Sequence, residues 1–574
     1  MEFSVQIPLP AIPDDLTVPQ FLLDSQHPSR PRRPEGVPWL VEDASGRPIG
    51  LEEIKHRVSG LANAMSIRWS IQENDVVCIF SPNHVDYPVA IWATHKLGAI
   101  ITPANPSYTI DELAHQLQTT KAALILVHPE CIPTALAAAR KSNISPTRIA
   151  QLSLPQASTN AEIVCVDDLI EFGVSRKPNF IERRLSPGES KTKLAFFNFS
   201  SGTTGKPKAV AISHYSVVAN VIQMAVHLKL DEKDPKARSM SPGDVAIAVL
   251  PMFHIYGLVV NLHYILFSGM SLVVIPKFNF EKFLDSIVRH RMTHLLLVPP
   301  QIVLLCKHPA AKGIDFSHVK FCMSGAAPLS GDLVEQVVRL MPNARVGQGY
   351  GLTETCTSIA MFPPEQKVGT IGSAGRLIPG ITARVVKADG SLASPGELGE
   401  LVVKGPSMAL GYSNNPKATK ETFVNGWVHT GDEVMINDKC ELYVLDRVKE
   451  IFKVKGFQVA PAELEGHLLK LNYVSDACVV SIMDDYSGEL PLAYVVLDPA
   501  VKHKAKDPQQ AARLKASIAK HVEVAKVRYK WLTGGIEFID AIPKNPSGKI
   551  LRRVLRDKAR AERANAVPQA QAKL

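Results

Sequence analysis

Cysteine is scarce: eight residues in 574, no two closer than sixteen positions. This spacing gives neither a CxxC metal knuckle nor the dense disulfide framework of a small secreted domain, and a reducing compartment is expected. Long apolar runs are missing as well. Leu295–Val298 and Ile302–Leu305 are separated by Pro299 and Pro300, and nothing approaches the ~18 residues that a membrane span needs. The start, Met1-Glu2-Phe3-Ser4-Val5-Gln6-Ile7-Pro8, has no basic segment followed by an apolar run, so no secretory signal is expected. A disordered composition is also excluded, with 46% hydrophobic residues and a mean hydropathy of +0.04. The expectation is a soluble globular protein.

Charge of one sign is confined to one end. The net charge is +9, and the segment from Arg447 to Leu574 holds 23 basic and 14 acidic residues, so the first 446 residues sum to zero. A basic terminal segment suits nucleic acid, an anionic surface or a polyanionic small molecule. Here it has no zinc-ligand spacing and no aromatic RNA-binding signature, and acids are interleaved, which argues against nucleic acid.

Helix and strand patterns alternate along the chain. Leu51–Trp69, Tyr87–Lys96 and Ile110–Thr119 carry helical patterns, and Asp75–Phe80, Ala99–Thr102 and Ala122–His128 read as strands. Later strand candidates are Leu194–Asn198, Val245–Val249, Ser271–Ile275, His294–Val298 and Lys320–Met323. Such alternation predicts parallel sheets covered by helices. From Thr382 the pattern becomes short alternating strands, Ala383–Val386, Gly399–Lys404 and Cys440–Val444, which predicts a β-rich, barrel-like annex. Mixed helix and strand return after Arg447. The predicted division is 1–446, a large domain of two α/β lobes plus the annex; 447–561, a small α+β domain; and 562–574, a tail.

After the strand candidate Leu194–Asn198 comes Ser200-Ser201-Gly202-Thr203-Thr204-Gly205-Lys206-Pro207-Lys208. Glycines that admit the backbone, hydroxyls that donate and lysines that neutralise suit a polyphosphate. It is not a Walker A loop, because no Gly-Lys-[Ser/Thr] follows four variable residues after a first glycine. Further strings stand in order: Pro251-Met252-Phe253-His254-Ile255-Tyr256-Gly257, Ser324-Gly325-Ala326-Ala327-Pro328-Leu329, and Gly347-Gln348-Gly349-Tyr350-Gly351-Leu352-Thr353-Glu354. They are followed by Gly426-Trp427-Val428-His429-Thr430-Gly431-Asp432, Asp446-Arg447-Val448-Lys449-Glu450, Lys455-Gly456-Phe457-Gln458-Val459-Ala460-Pro461-Ala462-Glu463-Leu464-Glu465 and Pro543-Lys544-Asn545-Pro546-Ser547-Gly548-Lys549.

The eight strings together resemble the motif set of the adenylate-forming, AMP-binding superfamily, and within it the acyl-CoA synthetases of the 4-coumarate–CoA ligase and luciferase type. The resemblance implies that superfamily's fold, a large N-terminal domain and a small mobile C-terminal one. It also implies a two-step reaction: a carboxylate and ATP give acyl-AMP and pyrophosphate, and coenzyme A then displaces AMP. By resemblance, Ser200, Ser201, Gly202, Thr203, Thr204, Gly205 and Lys208 hold the phosphates. Ala326, Gly349, Tyr350 and Gly351 hold adenine, and Asp432 with Arg447 the ribose. Thr353 donates to the α-phosphate and Glu354 is the Mg²⁺ ligand, a role that suits an acceptor-only carboxylate. Lys549, on a turn, is the catalytic cation bridging carboxylate and α-phosphate. Lys449 matches the hinge, and Lys455, Gly456 and Phe457 the pantetheine path of coenzyme A. The acyl pocket is expected from His254, Tyr256, Gly257, Gln301, Ser324, Gly325, Ala326, Gly347, Gly349 and Leu352. Small residues dominate that set, and His254 borders the carboxylate entry rather than serving as an obligatory base.

Departures from the pattern are Lys206, where an apolar residue is common, Ala209, where glycine is common, and Thr355-Cys356-Thr357-Ser358 after Glu354. The last leaves the acid open among fatty, aryl and secondary-metabolite acids. Alternatives within the same chemistry are a luciferase-like oxygenase and a ligase acting on a carrier protein; outside it stands a non-catalytic nucleotide-binding relative. The ending Ala572-Lys573-Leu574 differs from the Ser-Lys-Leu peroxisomal address by one small-for-small change, so the peroxisome and its import receptor are the expected destination and partner. A fluorescent reporter carrying the last dozen residues should collect in peroxisomes, and a diffuse cytosolic signal would refute the assignment.

Overall fold

Val76–Phe80 and Ile100–Ala104 are buried at every position, as parallel strands covered on both faces must be. In the computed structural model, which describes residues 1–154, 162–200, 207–234, 238–447, 450–454, 457–484, 488–544 and 548–566, they lie inside a seven-stranded sheet. Its order is Gly411–Tyr412, Lys208–Ser213, Leu194–Ser200, Ile100–Ala104, Val76–Phe80, Ala122–Val127, Ile149–Gln151. The last five run parallel, whereas Lys208–Ser213 returns antiparallel to Leu194–Ser200, with Ser200 opposite Lys208. That hairpin brackets the hydroxyl- and glycine-rich loop at the end of a buried strand.

A second, nine-stranded sheet has a parallel centre. Its order is Arg376–Leu377, Thr357–Met361, Arg345–Leu352, Phe321–Ser324, His294–Leu297, Val245–Ala248, Ser271–Val274, Leu40–Glu42, Pro48–Ile49. The third sheet is antiparallel, built from Glu2–Phe3, Thr382–Val386, Leu398–Lys404, Trp427–Ile436 and Phe423–Val424, with Leu442–Arg447 also paired to Trp427–Ile436. One continuous apolar core joins the three: Ile101 and Phe196 from the first, Leu272 and Phe321 from the second, Val385, Val403 and Val434 from the third. A site at the junction of these sheets therefore stands on a shared rigid base.

The chain then enters a smaller five-stranded sheet containing Phe452–Val454, Phe457–Val459, Val474–Asp484, Gly488–Leu497 and Gly535–Phe538. This sheet has apolar cores of its own under helices Pro461–Leu468, Pro508–Ala525 and Arg552–Ala566. Polar contacts hold it against the large domain. The Lys307 ammonium donates to the carbonyls of Leu469 and Val474 at 3.1 and 3.2 Å, and Lys470 pairs with Asp332 at 3.0 Å.

The sequence-predicted helices form at Leu51–Trp69, Tyr87–Lys96 and Ile110–Thr120, and the strand candidates form within three residues of their expected bounds. Among the elements not foreseen, two stand near the candidate site. Lys208–Ser213 follows a proline and begins on a lysine, a poor strand signal that pairing overrides. Tyr256–Tyr264 is a wide π-helical segment, buried at all nine positions; π-helical turns often mark functional sites. Among the described residues, no helix is long and apolar enough to cross a membrane.

Candidate active site

The phosphate-loop hairpin meets the second sheet at Glu354. Strand Arg345–Leu352 runs parallel to Phe321–Ser324 through Gln348, then pairs antiparallel with Thr357–Met361 from Gly349 onward. The reversal is very tight. A Cβ on Gly351 would lie 1.7 Å from the Thr357 carbonyl oxygen, so only glycine fits there. The turn Thr353–Thr355 caps the strand and is closed by Cys356 and Thr357 at φ 54° and 98°. It presents Glu354 to the hairpin, where Oε1 accepts from Ser200 Oγ at 2.9 Å and from the Tyr412 hydroxyl at 2.8 Å. Lys208 Nζ stands 4.8 Å from the Tyr412 ring centroid. Ser200, Lys208, Thr353 and Glu354, expected from the sequence to serve phosphate and metal, thus converge.

A second cluster forms where the third sheet ends. Asp432 and Arg447 are register partners in an antiparallel pair. Arg447 Nε pairs with Asp432 Oδ1 at 2.7 Å, and Arg447 Nη1 donates to the Thr430 carbonyl at 3.0 Å. The Tyr350 hydroxyl donates to Asp432 Oδ2. Burial pushes the Asp432 carboxyl up, while Arg447 and Tyr350 hold it down. A carboxylate has about four acceptor positions, so capacity remains for two ribose hydroxyls. Tyr350 therefore has a task beyond offering an aromatic face: it fixes the carboxylate.

Lys549 reaches this cluster from the small domain. Gly548, at φ 82°, packs against the large domain, its missing Cβ lying 3.3 Å from Val298 Cγ2. Burial and then the Arg447 guanidinium lower the Lys549 ammonium, while Asp432, Glu450 and Glu354 favour its charge. Three residues on, Arg552 pairs with Glu450 and Glu465, each at 2.5 Å. It also stands 3.9 Å from Asp446, whose Oδ2 accepts from Ala462 N at 2.9 Å. The turn carrying Lys549 is thus anchored to carboxylates on both sides of residues 448–449.

The glycines expected in the acyl pocket are closely backed: the Cβ positions of Gly257, Gly325 and Gly347 would fall 2.1 Å from the Pro251 carbonyl oxygen, 2.8 Å from the Tyr256 ring and 2.1 Å from the Phe362 ring. Gly349 has Met323 Sδ at 3.3 Å. Gln301 caps helix Pro299–Lys307, its Oε1 accepting from Val298 N at 3.1 Å. Ala326 is exposed at φ 70°, and Leu352 is half-buried at the strand end. Among the described residues, the Tyr256 hydroxyl and Ser324 Oγ are buried without a hydrogen-bond partner. His254 Nδ1 accepts from Tyr256 N at 3.3 Å, and burial, with Lys549 nearby, lowers its imidazole to about 4. A neutral imidazole borders the site.

Phe457 is 57% exposed and stacks on Tyr529 at 4.8 Å, so it is available rather than packed away. Ser201, Gly202, Thr203, Thr204, Gly205, Lys449, Lys455, Gly456, Ala572, Lys573 and Leu574 lie outside the described residues. Sequence reasoning missed Tyr412. Its Gly-Tyr pair before a helix start carried no phosphate or metal signal, and its strand is only two residues long.

Residues 30–413 match the family described as AMP-binding enzyme, and residues 463–549 match the AMP-binding enzyme C-terminal domain. Acyl-CoA ligase AKT1 of Alternaria alternata is 33% identical over 573 residues, covering 96% of each protein. 4-Coumarate–CoA ligase 5 of Oryza sativa subsp. japonica is 33% identical over 578 residues, covering 97% of each. The crystal structure of anthranilate CoA ligase AuaEII in complex with anthranoyl-AMP aligns with a TM-score of 0.83 at 21% identity, covering 96% of this chain and 99% of that one, a likeness of fold.

The His254 environment makes a titration testable. An imidazole lowered from 6.5 to about 4 refuses a proton that the unfolded chain accepts between those values. The neutral group thus contributes stability above pH 6.5, and that contribution is lost as pH falls toward 4. The imidazole C–H resonance absent from a His254→Gln variant should titrate with a midpoint near 4; a midpoint above 6 would contradict the burial argument.

Proposed function

The chain belongs to the AMP-binding enzyme family, and on that premise we propose that it is an AMP-forming acid–CoA ligase whose acid is apolar: fatty, aryl or a secondary-metabolite acid. The observation that carries the reading is the arrival of Lys549 from the small domain in the field of Asp432, Arg447 and Glu354. A surface lysine would be hydrated and far from carboxylates such as Asp432 and Glu354. Here it stands where negative charge builds during attack on a phosphate.

In the first step a carboxylate oxygen of the acid attacks the α-phosphorus of ATP. An O–P bond forms, the α–β bridging bond breaks, and pyrophosphate leaves with its electron pair. Such a reaction needs positioning and charge stabilisation more than covalent help. Asp432, held by Tyr350 and Arg447, binds the ribose. Thr353 donates to the α-phosphate, Lys208 attracts the departing phosphates, and Lys549 offsets the charge shared between the carboxylate and α-phosphate. Neutral His254 borders the carboxylate entry without adding a positive charge there. A magnesium ion suits the hard oxygens of Glu354 and its neighbouring hydroxyls; bound there it would neutralise phosphate charge.

In the second step the coenzyme A thiol, its proton passing to solvent, attacks the acyl carbon; the C–S bond forms, the acyl C–O bond to phosphate breaks, and AMP leaves with that electron pair. Phe457, with Lys455 and Gly456, is assigned to the pantetheine path, and Lys449 to the hinge that turns the small domain between steps.

Pyrophosphate release, measured with ATP and Mg²⁺ across fatty, aryl and cinnamic acids with and without coenzyme A, tests this reading. One or a few acids should respond strongly and be completed to thioesters. Bound ATP with no release on a broad panel would favour the non-catalytic relative, and oxygen uptake or light without thioester would favour the oxygenase. Lys549→Ala should abolish acyl-AMP formation yet spare thioester formation from supplied acyl-AMP; loss of both would remove its assigned role.

A further inference from the structure

Tyr412 belongs to no motif used so far, yet it touches both halves of the phosphate-binding apparatus. Its strand, Gly411–Tyr412, pairs antiparallel with Lys208–Ser213, Tyr412 lying opposite Val210. Lys208, two residues from Val210, is therefore its diagonal neighbour, within reach of a large aromatic ring. The ring is held from behind. Phe423 meets it edge-on at 5.6 Å, and Thr419 Oγ1 accepts from its backbone N–H at 3.0 Å. The same segment is stitched to the site on either side: Ala409 N donates to the Glu354 carbonyl at 2.9 Å, and Ser413 N to Ala209 O at 2.8 Å.

Two different interactions leave one side chain. The hydroxyl donates to Glu354 Oε1 at 2.8 Å, converging with Ser200 Oγ on the same oxygen. This pair of donors limits the rotation of the carboxylate. The ring face lies 4.8 Å beneath the Lys208 ammonium, a distance at which a cation is attracted to an aromatic quadrupole.

We propose that Tyr412 is a positioning residue for nucleotide activation: its hydroxyl orients Glu354 for a divalent cation, and its ring orients Lys208 for the phosphates. The inference rests on the nucleotide-activating function proposed above. Its two interactions separate by substitution, since Tyr412→Phe deletes the hydroxyl and keeps the ring, and Tyr412→Leu deletes both.

The test uses the full-length protein, Mn²⁺ and a non-hydrolysable ATP analogue. Bound Mn²⁺ is measured by electron paramagnetic resonance, analogue affinity is measured separately without divalent metal, and the thermal unfolding midpoint is recorded for each protein. Tyr412→Phe should weaken Mn²⁺ binding in the nucleotide complex by roughly tenfold, the usual scale for a hydrogen bond to a charged group. Its metal-free analogue affinity and unfolding midpoint should stay near wild type. Tyr412→Leu should lose a further two- to fivefold, roughly, in metal-free analogue affinity. Unchanged Mn²⁺ binding in Tyr412→Phe, or equal metal-free affinities for the two variants, would overturn the inference. So would a Tyr412→Phe loss of both affinities alongside a lowered midpoint, since that marks a merely structural residue. A wild-type protein that binds no analogue would overturn the nucleotide-activating function and this inference with it.

Discussion

The buried pair between Asp432 and Arg447 is the contact on which the arrangement turns. It is a cross-strand pair inside the third sheet, and beyond Arg447 the chain passes to the small domain. The same two residues therefore hold the carboxylate proposed to bind ribose and the point where the chain leaves the large domain. Taking two charges out of water is costly, and removing one partner of such a pair typically costs about 3–5 kcal/mol because the other is left uncompensated. Tyr350 adds a third contact from the second sheet. The proposed nucleotide site, the sheet junction and the domain exit thereby share one carboxylate.

Much of the fold was legible because apolar runs and their spacing report burial directly. Val76–Phe80 could hardly be anything but a covered strand. The exact strings around Tyr350, Asp432 and Lys549 also identified residues that the structure gathers from distant parts of the chain. Legibility failed where a residue's use depends on its neighbour. Only the fold shows that the Pro251 carbonyl and the Phe362 ring occupy the space a Cβ would need on Gly257 and Gly347. Only the fold shows the Gln301 side chain accepting from the Val298 amide. Tyr412 shows the converse: an unremarked tyrosine gains meaning because strand register sets it beside Lys208 and a tight turn aims Glu354 at it. Spacing along a chain cannot report such register across strands.

Charge explains why the small domain carries the basic excess without becoming a uniformly basic surface. Many of its cations are engaged locally: Lys526 and Lys530 on Glu463, Lys544 on Asp476, Lys502 on Asp540 and Arg552 on its acids. These pairs shape the domain and leave a smaller set to face anionic ligands. Lys549 is different in kind. Burial lowers its ammonium, and the surrounding carboxylates oppose that effect, so an arriving polyphosphate would strengthen its charged form.

The contacts between domains are suited to being broken. Lys307 donates to two backbone carbonyls, and Lys470 and Asp332 form a half-exposed ion pair, which is worth about 0–1 kcal/mol at most sites. The Gly548 turn touches Val298 and Pro300 without a deep apolar seam. By contrast, Glu450 and Glu465 hold Arg552 and the Lys549 turn to the small domain, while Asp446, 3.9 Å from Arg552, lies across residues 448–449. The shortest pairs of that network lie within the small domain, so the proposed rotation about residues 448–449 would carry Lys549 with that domain and break the longer contact between Arg552 and Asp446. The proposed use of Lys549 in the first step alone asks for that distribution of strength.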